Sequence, residues 1–228
     1  MAFKNTKVII PKSGHIFKVI YVWLCLFYFF WVVIRNISPM KKIAILASGS
    51  GTNAESITNY FKHHPEIEVD VILSNRADAY VHERAKRLGV ESGVFTREEL
   101  KKPDGVAGYL EKRNINLVVL AGFLWLIPDA LLNTFPGKII NIHPALLPAY
   151  GGKNMYGKRV HEAVLAAGEK ESGITIHYVD EIYDHGKIIF QARCTVEKGD
   201  TPDRLAGRIH ELEYKHYPKE IEKLLQGL

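Results

Sequence analysis

The chain has 228 residues, 47% of them hydrophobic, which suffices for one sizeable core and favours a single compact domain. The formal charge of +5 comes largely from a stretch before Glu55 in which Lys4, Lys7, Lys12, Lys18, Arg35, Lys41 and Lys42 face no acidic residue, and no Lys/Arg block interleaved with aromatics occurs elsewhere, which argues against a nucleic-acid partner. The two cysteines, Cys25 and Cys194, lack metal-ligand or disulfide spacing, and the ten histidines form no H-E-x-x-H pattern, so we expect no metal and a reducing, cytoplasmic setting.

Residues 19–34 form an uninterrupted apolar run between Lys18 and Arg35, slightly short of the roughly 17–25 residues a spanning helix needs. A membrane anchor is one reading. A secretory signal fits less well, because no small-residue cleavage site follows. We take Met40-Lys41-Lys42-Ile43 as the natural start, with 1–39 an extension outside the fold and 40–228 the functional domain. Membrane association is then expected only if 19–34 are retained as an anchor.

From Lys42 short apolar runs alternate with amphipathic stretches. We read strand 42–47, helix 53–63, strand 68–73, helix 79–88, a helix near 104–113, strand 117–121, a helix between Pro128-Asp129 and Pro136-Gly137, and strand 138–143. After a loop at Tyr150–Asn154 come helix 158–167, strands 173–179 and 187–196, and a final helix over 201–225 with Thr201 as its cap. This alternation predicts an α/β, Rossmann-like open sheet, mostly parallel and twisted, with helices on both faces and antiparallel strands toward the C-terminal part.

The first strand runs into Ser48-Gly49-Ser50-Gly51-Thr52-Asn53 and then a helix, so backbone N–H groups and a helix amino terminus converge where an anion can sit. Read as G-x-G-x-x-A, the loop nearly matches a dinucleotide fingerprint, with Glu68 and Asp70 downstream, and a plain glycine turn is the simplest alternative. Thr52 and Asn53 add side-chain donors better suited to a terminal phosphate.

Strand 138–143 ends in Asn141-Ile142-His143-Pro144, and Asp184 follows about forty positions on. Asn141 and His143, two apart, project from one face of a strand. Pro144 biases His143 towards extended backbone, so the imidazole should stand at the strand's carboxyl end, where open α/β sheets bind ligands. A neutral donor, an imidazole and a carboxylate together suit acyl-type transfer.

ASGSGTN at 47–53, LSNRADA at 73–79, VVLAGFLWLIP at 118–128, NIHPALLP at 141–148, GITIHYVDEIYDHGKIIFQ at 173–191 and EYKHYP at 213–218 occur in an order that resembles the phosphoribosylglycinamide formyltransferase family, over almost everything from Met40 onward. The resemblance implies formyl transfer from 10-formyltetrahydrofolate, as co-substrate, to the amine of glycinamide ribonucleotide in purine biosynthesis, by a monomer or homodimer. It implies a catalytic trio of Asn141, His143 and Asp184, a substrate-phosphate loop at Gly51, Thr52 and Asn53, and a substrate contact at Glu213. Folate is expected in an apolar slot between the AGFLWLIP segment and the loop from Val179 to Asp184, with Leu126, Val179 and Asp180 in contact. A protonated His143 would stabilise the oxyanion, and Asp184 would keep that ring charged.

Trp125 stands where relatives often carry Arg, His185 replaces a frequent Gly, and the 150–160 loop is longer than in some relatives. Arg84 or Lys86 is a candidate for the folate carboxylates. Methionyl-tRNA formyltransferase needs a further domain, and the chain continues only about ten residues beyond Pro218, short of the ~50 a small domain requires. Formyltetrahydrofolate hydrolase, which shares the trio, carries an amino-terminal regulatory domain, for which the 39 residues before Met40 are too few and too apolar. A dinucleotide oxidoreductase and a non-catalytic nucleotide-binding sensor are the rivals from other classes.

Overall fold

The computed structural model describes residues 39–227; the apolar run at 19–34, Cys25 and the question of where the natural chain starts lie outside the described residues. The first strand, β1 (Lys41–Ala47), shows how the architecture follows from sequence. Ile43, Ile45 and Ala47 point into one core, while Ala44 and Leu46 point into the other. A strand buried on both faces needs such an unbroken apolar run, and so occupies the middle of a parallel sheet.

The chain continues through α1 (Thr52–Phe61), β2 (Ile67–Ser74), α2 (Val81–Leu88), β3 (Glu91–Val94), α3 (Arg97–Lys101), α4 (Gly108–Lys112), β4 (Leu117–Leu120), α5 (Asp129–Thr134) and β5 (Ile139–His143). It ends with α6 (Lys158–Ala166), β6 (Glu171–Tyr178), β7 (Ile188–Thr195) and α7 (Pro202–Gln226). The seven strands lie in the order β3-β2-β1-β4-β5-β6-β7. β1 to β5 pair in parallel, whereas β6 and β7 run antiparallel, as the alternation predicts.

One face is covered by Ala54, Ile57 and Phe61 of α1, Val81 and Ala85 of α2, and Leu205, Ile209, Tyr217 and Ile221 of α7. The other receives Leu100 of α3, Leu110 of α4 and Leu131 of α5. Each fully buried Leu or Ile contributes about 1.5–3 kcal/mol by leaving water, before the cost of ordering it. Thr201 caps α7, its Oγ1 accepting from Arg204 N at 3.3 Å.

Two elements differ from the sequence reading. β3 (ESGV) is largely exposed and has no apolar alternation to reveal it; it is held at the sheet edge by its register with β2. The helix expected near 104–113 is α-helical only over α4: it begins as a π-helical turn at Pro103–Ala107 whose Gly105 leaves helical geometry at φ −81°, ψ −122°, and α3 precedes it as a separate helix. A Cβ on Gly105 would lie 1.9 Å from the Glu99 carbonyl oxygen, so only glycine permits this approach. α3 is announced by a capping box: Glu99 N donates to Thr96 Oγ1 and Thr96 N to Glu99 Oε2.

The winding reverses between β1 and β4, the neighbours from which the chain extends to opposite sheet edges. A crevice opens outside the carboxyl ends of strands at such a switch point.

Candidate active site

A cavity of about 420 Å³ fills that crevice, within the range of small-molecule sites. Ser50–Asn53 after β1, Ala121–Ile127 after β4, Asn141 and His143 at the end of β5, the loop at 152–157, Val179, Asp180, Ile182–Asp184 and Glu213 all line it. The expected catalytic trio, phosphate loop, Glu213 and folate contacts therefore border one cavity, although each plays its own structural part.

Gly51 caps α1 from the left-handed region at φ 75°, and a Cβ there would lie 2.4 Å from Val81 Cγ2. The loop is braced from outside, by Val81 N donating to Gly49 O at 3.2 Å and by Arg84 Nε donating to Ser50 O at 2.8 Å. Arg84 also pairs with Glu55, so it is committed to this brace. Lys86 is exposed on α2 and does not line the cavity. The expectation that either reaches folate carboxylates finds no support in this placement, because α2 packs behind the glycine loop.

Asn53 Nδ2 donates to Glu213 Oε2 at 2.9 Å, tying the loop to α7. The side-chain donor expected to face a phosphate is therefore engaged by Glu213. Glu213 is only 4% exposed, and its Oε2 also lies 2.9 Å from His210 Nδ1. The hydrogen bond to Glu213 raises the His210 pKa against the opposing effect of burial. Asn53 Oδ1 and His161 Nδ1 are buried without partners among the described residues, leaving polar capacity at this end of the cavity.

At the other end Asp184 bridges the trio. Its Oδ1 accepts from Asn141 Nδ2 at 3.3 Å, its Oδ2 stands 3.4 Å from His143 Nδ1, and Oδ2 also accepts from Gly152 N at 2.8 Å. Asp184 holds a positive φ of 55°, a costly backbone for a non-glycine residue that the surrounding contacts sustain. Burial raises its pKa, but the neighbouring His177 and His143 rings and the Gly152 N–H together hold it below the ordinary carboxylate value.

His143 departs from expectation. It is 3% exposed, and Nε2 lies 2.7 Å from the Tyr150 carbonyl oxygen, so that nitrogen carries a proton. Burial lowers its pKa and outweighs both the Asp184 charge and the Tyr150 carbonyl, which favour the cation. The ring is thus not kept charged by Asp184, because desolvation of an imidazolium costs more here than one carboxylate at 3.4 Å returns.

Leu126 is 43% exposed at the cavity mouth, and Val179 and Asp180 line the same wall. Asp180 is partly engaged, its Oδ2 2.8 Å from His185 Nδ1 and its Oδ1 accepting from Ile182 N at 2.9 Å. Trp125 packs edge-on against Phe95 and Phe123, with the Arg97 guanidinium 4.7 Å above its ring.

Three histidines outside the expected set, His161, His177 and His210, also line the cavity. His177 had a signal, since its strand alternates and pairs in register with Asn141. Among the described residues no group of three His, Cys, Asp or Glu side chains is placed to hold a metal ion, and no helix is long and apolar enough to cross a membrane.

Residues 41–221 match the formyl transferase family model. The chain is 37% identical over 194 residues to phosphoribosylglycinamide formyltransferase of Haemophilus influenzae, covering 82% of this chain and 89% of that protein. It is 41% identical over 184 residues to the chloroplastic enzyme of Arabidopsis thaliana, covering 78% of this chain but only 63% of that longer protein. The crystal structure of phosphoribosylglycinamide formyltransferase from Streptococcus pneumoniae superposes with a TM-score of 0.72 at 40% identity, covering 82% of this chain and 99% of that one. By sequence and by fold, the chain belongs to the formyl transferase family.

Proposed function

We propose that this protein transfers a formyl group from 10-formyltetrahydrofolate to the amine of glycinamide ribonucleotide in purine biosynthesis, with residues 40–228 forming the transferase domain and acting in the cytoplasm. The observation that carries this reading is the meeting of Asn141, His143 and Asp184 in the cavity that also receives the Gly51–Asn53 loop and Glu213. The helix amino terminus behind Gly51 and Thr52 suits a phosphate, with Asn53 positioned by Glu213. Leu126, Val179 and Asp180 form an apolar wall with a polar end, suited to a flat heterocycle.

In this scheme the amine lone pair adds to the formyl carbon and the carbonyl electron pair moves onto oxygen. Asn141 and His143 stand where that oxygen gains charge, Asn141 by turning the amide hydrogen of its long 3.3 Å contact with Asp184 Oδ1 towards it. Asp184, anionic at neutral pH, collects the proton lost by the amine through water, and His143 relays a proton to the departing nitrogen as the carbon–nitrogen bond breaks. His143 must leave the Tyr150 carbonyl to do so, which makes the 150–157 loop part of the reaction cycle.

The test is to incubate the full chain with 10-formyltetrahydrofolate, with and without glycinamide ribonucleotide, and follow tetrahydrofolate. Turnover only with both substrates is expected. Formate release without the amine would assign a hydrolase instead, and no turnover would remove the function while leaving the fold.

A further inference from the structure

His177 sits opposite Asn141 in the antiparallel β5–β6 ladder and is 2% exposed. Its Nδ1 lies 2.8 Å from the carbonyl oxygen of Tyr178. A carbonyl only accepts, so Nδ1 carries the hydrogen and, in the neutral ring, Nε2 is a bare lone pair. That lone pair is 3.2 Å from Asn141 Nδ2, which is also 3.3 Å from Asp184 Oδ1, while Asp184 Oδ1 stands 3.6 Å from Nε2 itself, beyond hydrogen-bonding reach. Two acceptors thus face the same end of the Asn141 amide. Turning the amide over would set its oxygen against a lone pair and a carboxylate oxygen, so the nitrogen is held on this side.

We propose that His177 is a positioning residue for formyl transfer: the Tyr178 carbonyl selects its tautomer, its bare Nε2 selects the orientation of the Asn141 amide, and Asn141 is thereby held against Asp184. The inference rests on the function proposed above. A histidine retained only for bulk would not need both ring nitrogens placed in this way. The chain of contacts runs from backbone to ring to amide to carboxylate, and each step has a single sign of hydrogen bond.

Two measurements test it. In full-length protein labelled with ¹⁵N-histidine, His177 should show a protonated Nδ1 and an unprotonated Nε2 at neutral pH; the opposite tautomer overturns the proposal, whether or not the protein is active. In kinetics, His177→Phe keeps bulk but loses the lone pair, and should lower kcat on the order of 10- to 100-fold. KM for either substrate should move less than about threefold, because the loss falls on the transition state. His177→Gln, whose side-chain oxygen accepts from Asn141, should recover most of the rate. Full activity in the Phe variant, or equal losses in Phe and Gln accompanied by a lower Tm, would reduce His177 to packing and overturn the proposal. Absence of formyl transfer in the unsubstituted protein would count against the proposed function, with the tautomer still deciding the hydrogen-bond arrangement.

Discussion

Tyr150 accepts a hydrogen bond from His143 Nε2 through its carbonyl oxygen at 2.7 Å, closing off the nitrogen opposite the one that faces Asp184. Burial nevertheless keeps the His143 pKa below its ordinary value. The unfolded chain therefore takes up this proton at higher pH than the folded one, and between the folded pKa and about 6.5 stability rises with pH. His161 has the same sign, again through burial, whereas His210, raised by Glu213, contributes stability that is present below about 6.5 and lost as pH rises through its folded pKa. Urea denaturation between pH 5 and 7 should show a shallower rise of stability with pH for His143→Gln than for the unsubstituted protein. Identical slopes would refute the assignment.

Asp184→Asn keeps an acceptor for the Gly152 N–H and nearly the same volume, but removes the charge. Steady-state assays should show kcat reduced by about 10²- to 10⁴-fold, the range for loss of a proton-transfer group. Near-wild-type turnover would exclude Asp184 from the chemistry.

Gly51→Ala forces a side chain into the left-handed region and against Val81. Chemical denaturation should register a loss of about 1–3 kcal/mol. A neutral result would mean that α2 yields more readily than its packing implies.

Glu213→Gln removes the anion beside His210 and weakens the anchor of Asn53. The His210 pKa, followed by proton NMR, should fall. KM for the ribonucleotide should rise about tenfold, in line with the roughly 1.5–3 kcal/mol of a hydrogen bond to a charged group. An unmoved His210 titration would place its perturbation elsewhere.

Tyr217→Phe separates stability from activity. The fully buried hydroxyl donates to the carbonyls of Leu120 at 3.0 Å and Ile140 at 3.3 Å, binding α7 to the ends of β4 and β5 from outside the cavity. Denaturation should detect a loss of about 1–3 kcal/mol from the unpaired groups, with kcat unchanged. A fall in kcat without a fall in stability would contradict this separation.

Much of the architecture was legible because it is written in short-range patterns. The doubly buried run of β1, the glycine turn into α1, the Thr201 cap and the shared face of Asn141 and His143 all depend on neighbours a few positions away. β3 was not legible, since an exposed edge strand has no apolar period, and the break at Gly105 was hidden because it arises from a close approach to the Glu99 carbonyl.

By itself the sequence determined which chemical groups are present and on which elements they ride. Only the tertiary structure decided what state and company those groups keep: Arg84 committed to Glu55 and the loop backbone, Asn53 committed to Glu213, His177 set against Asn141, and His143 pushed towards neutrality. The reason is physical. Periodicity is a property of neighbouring residues, whereas desolvation and hydrogen-bond partnership depend on everything the fold brings within a few ångströms.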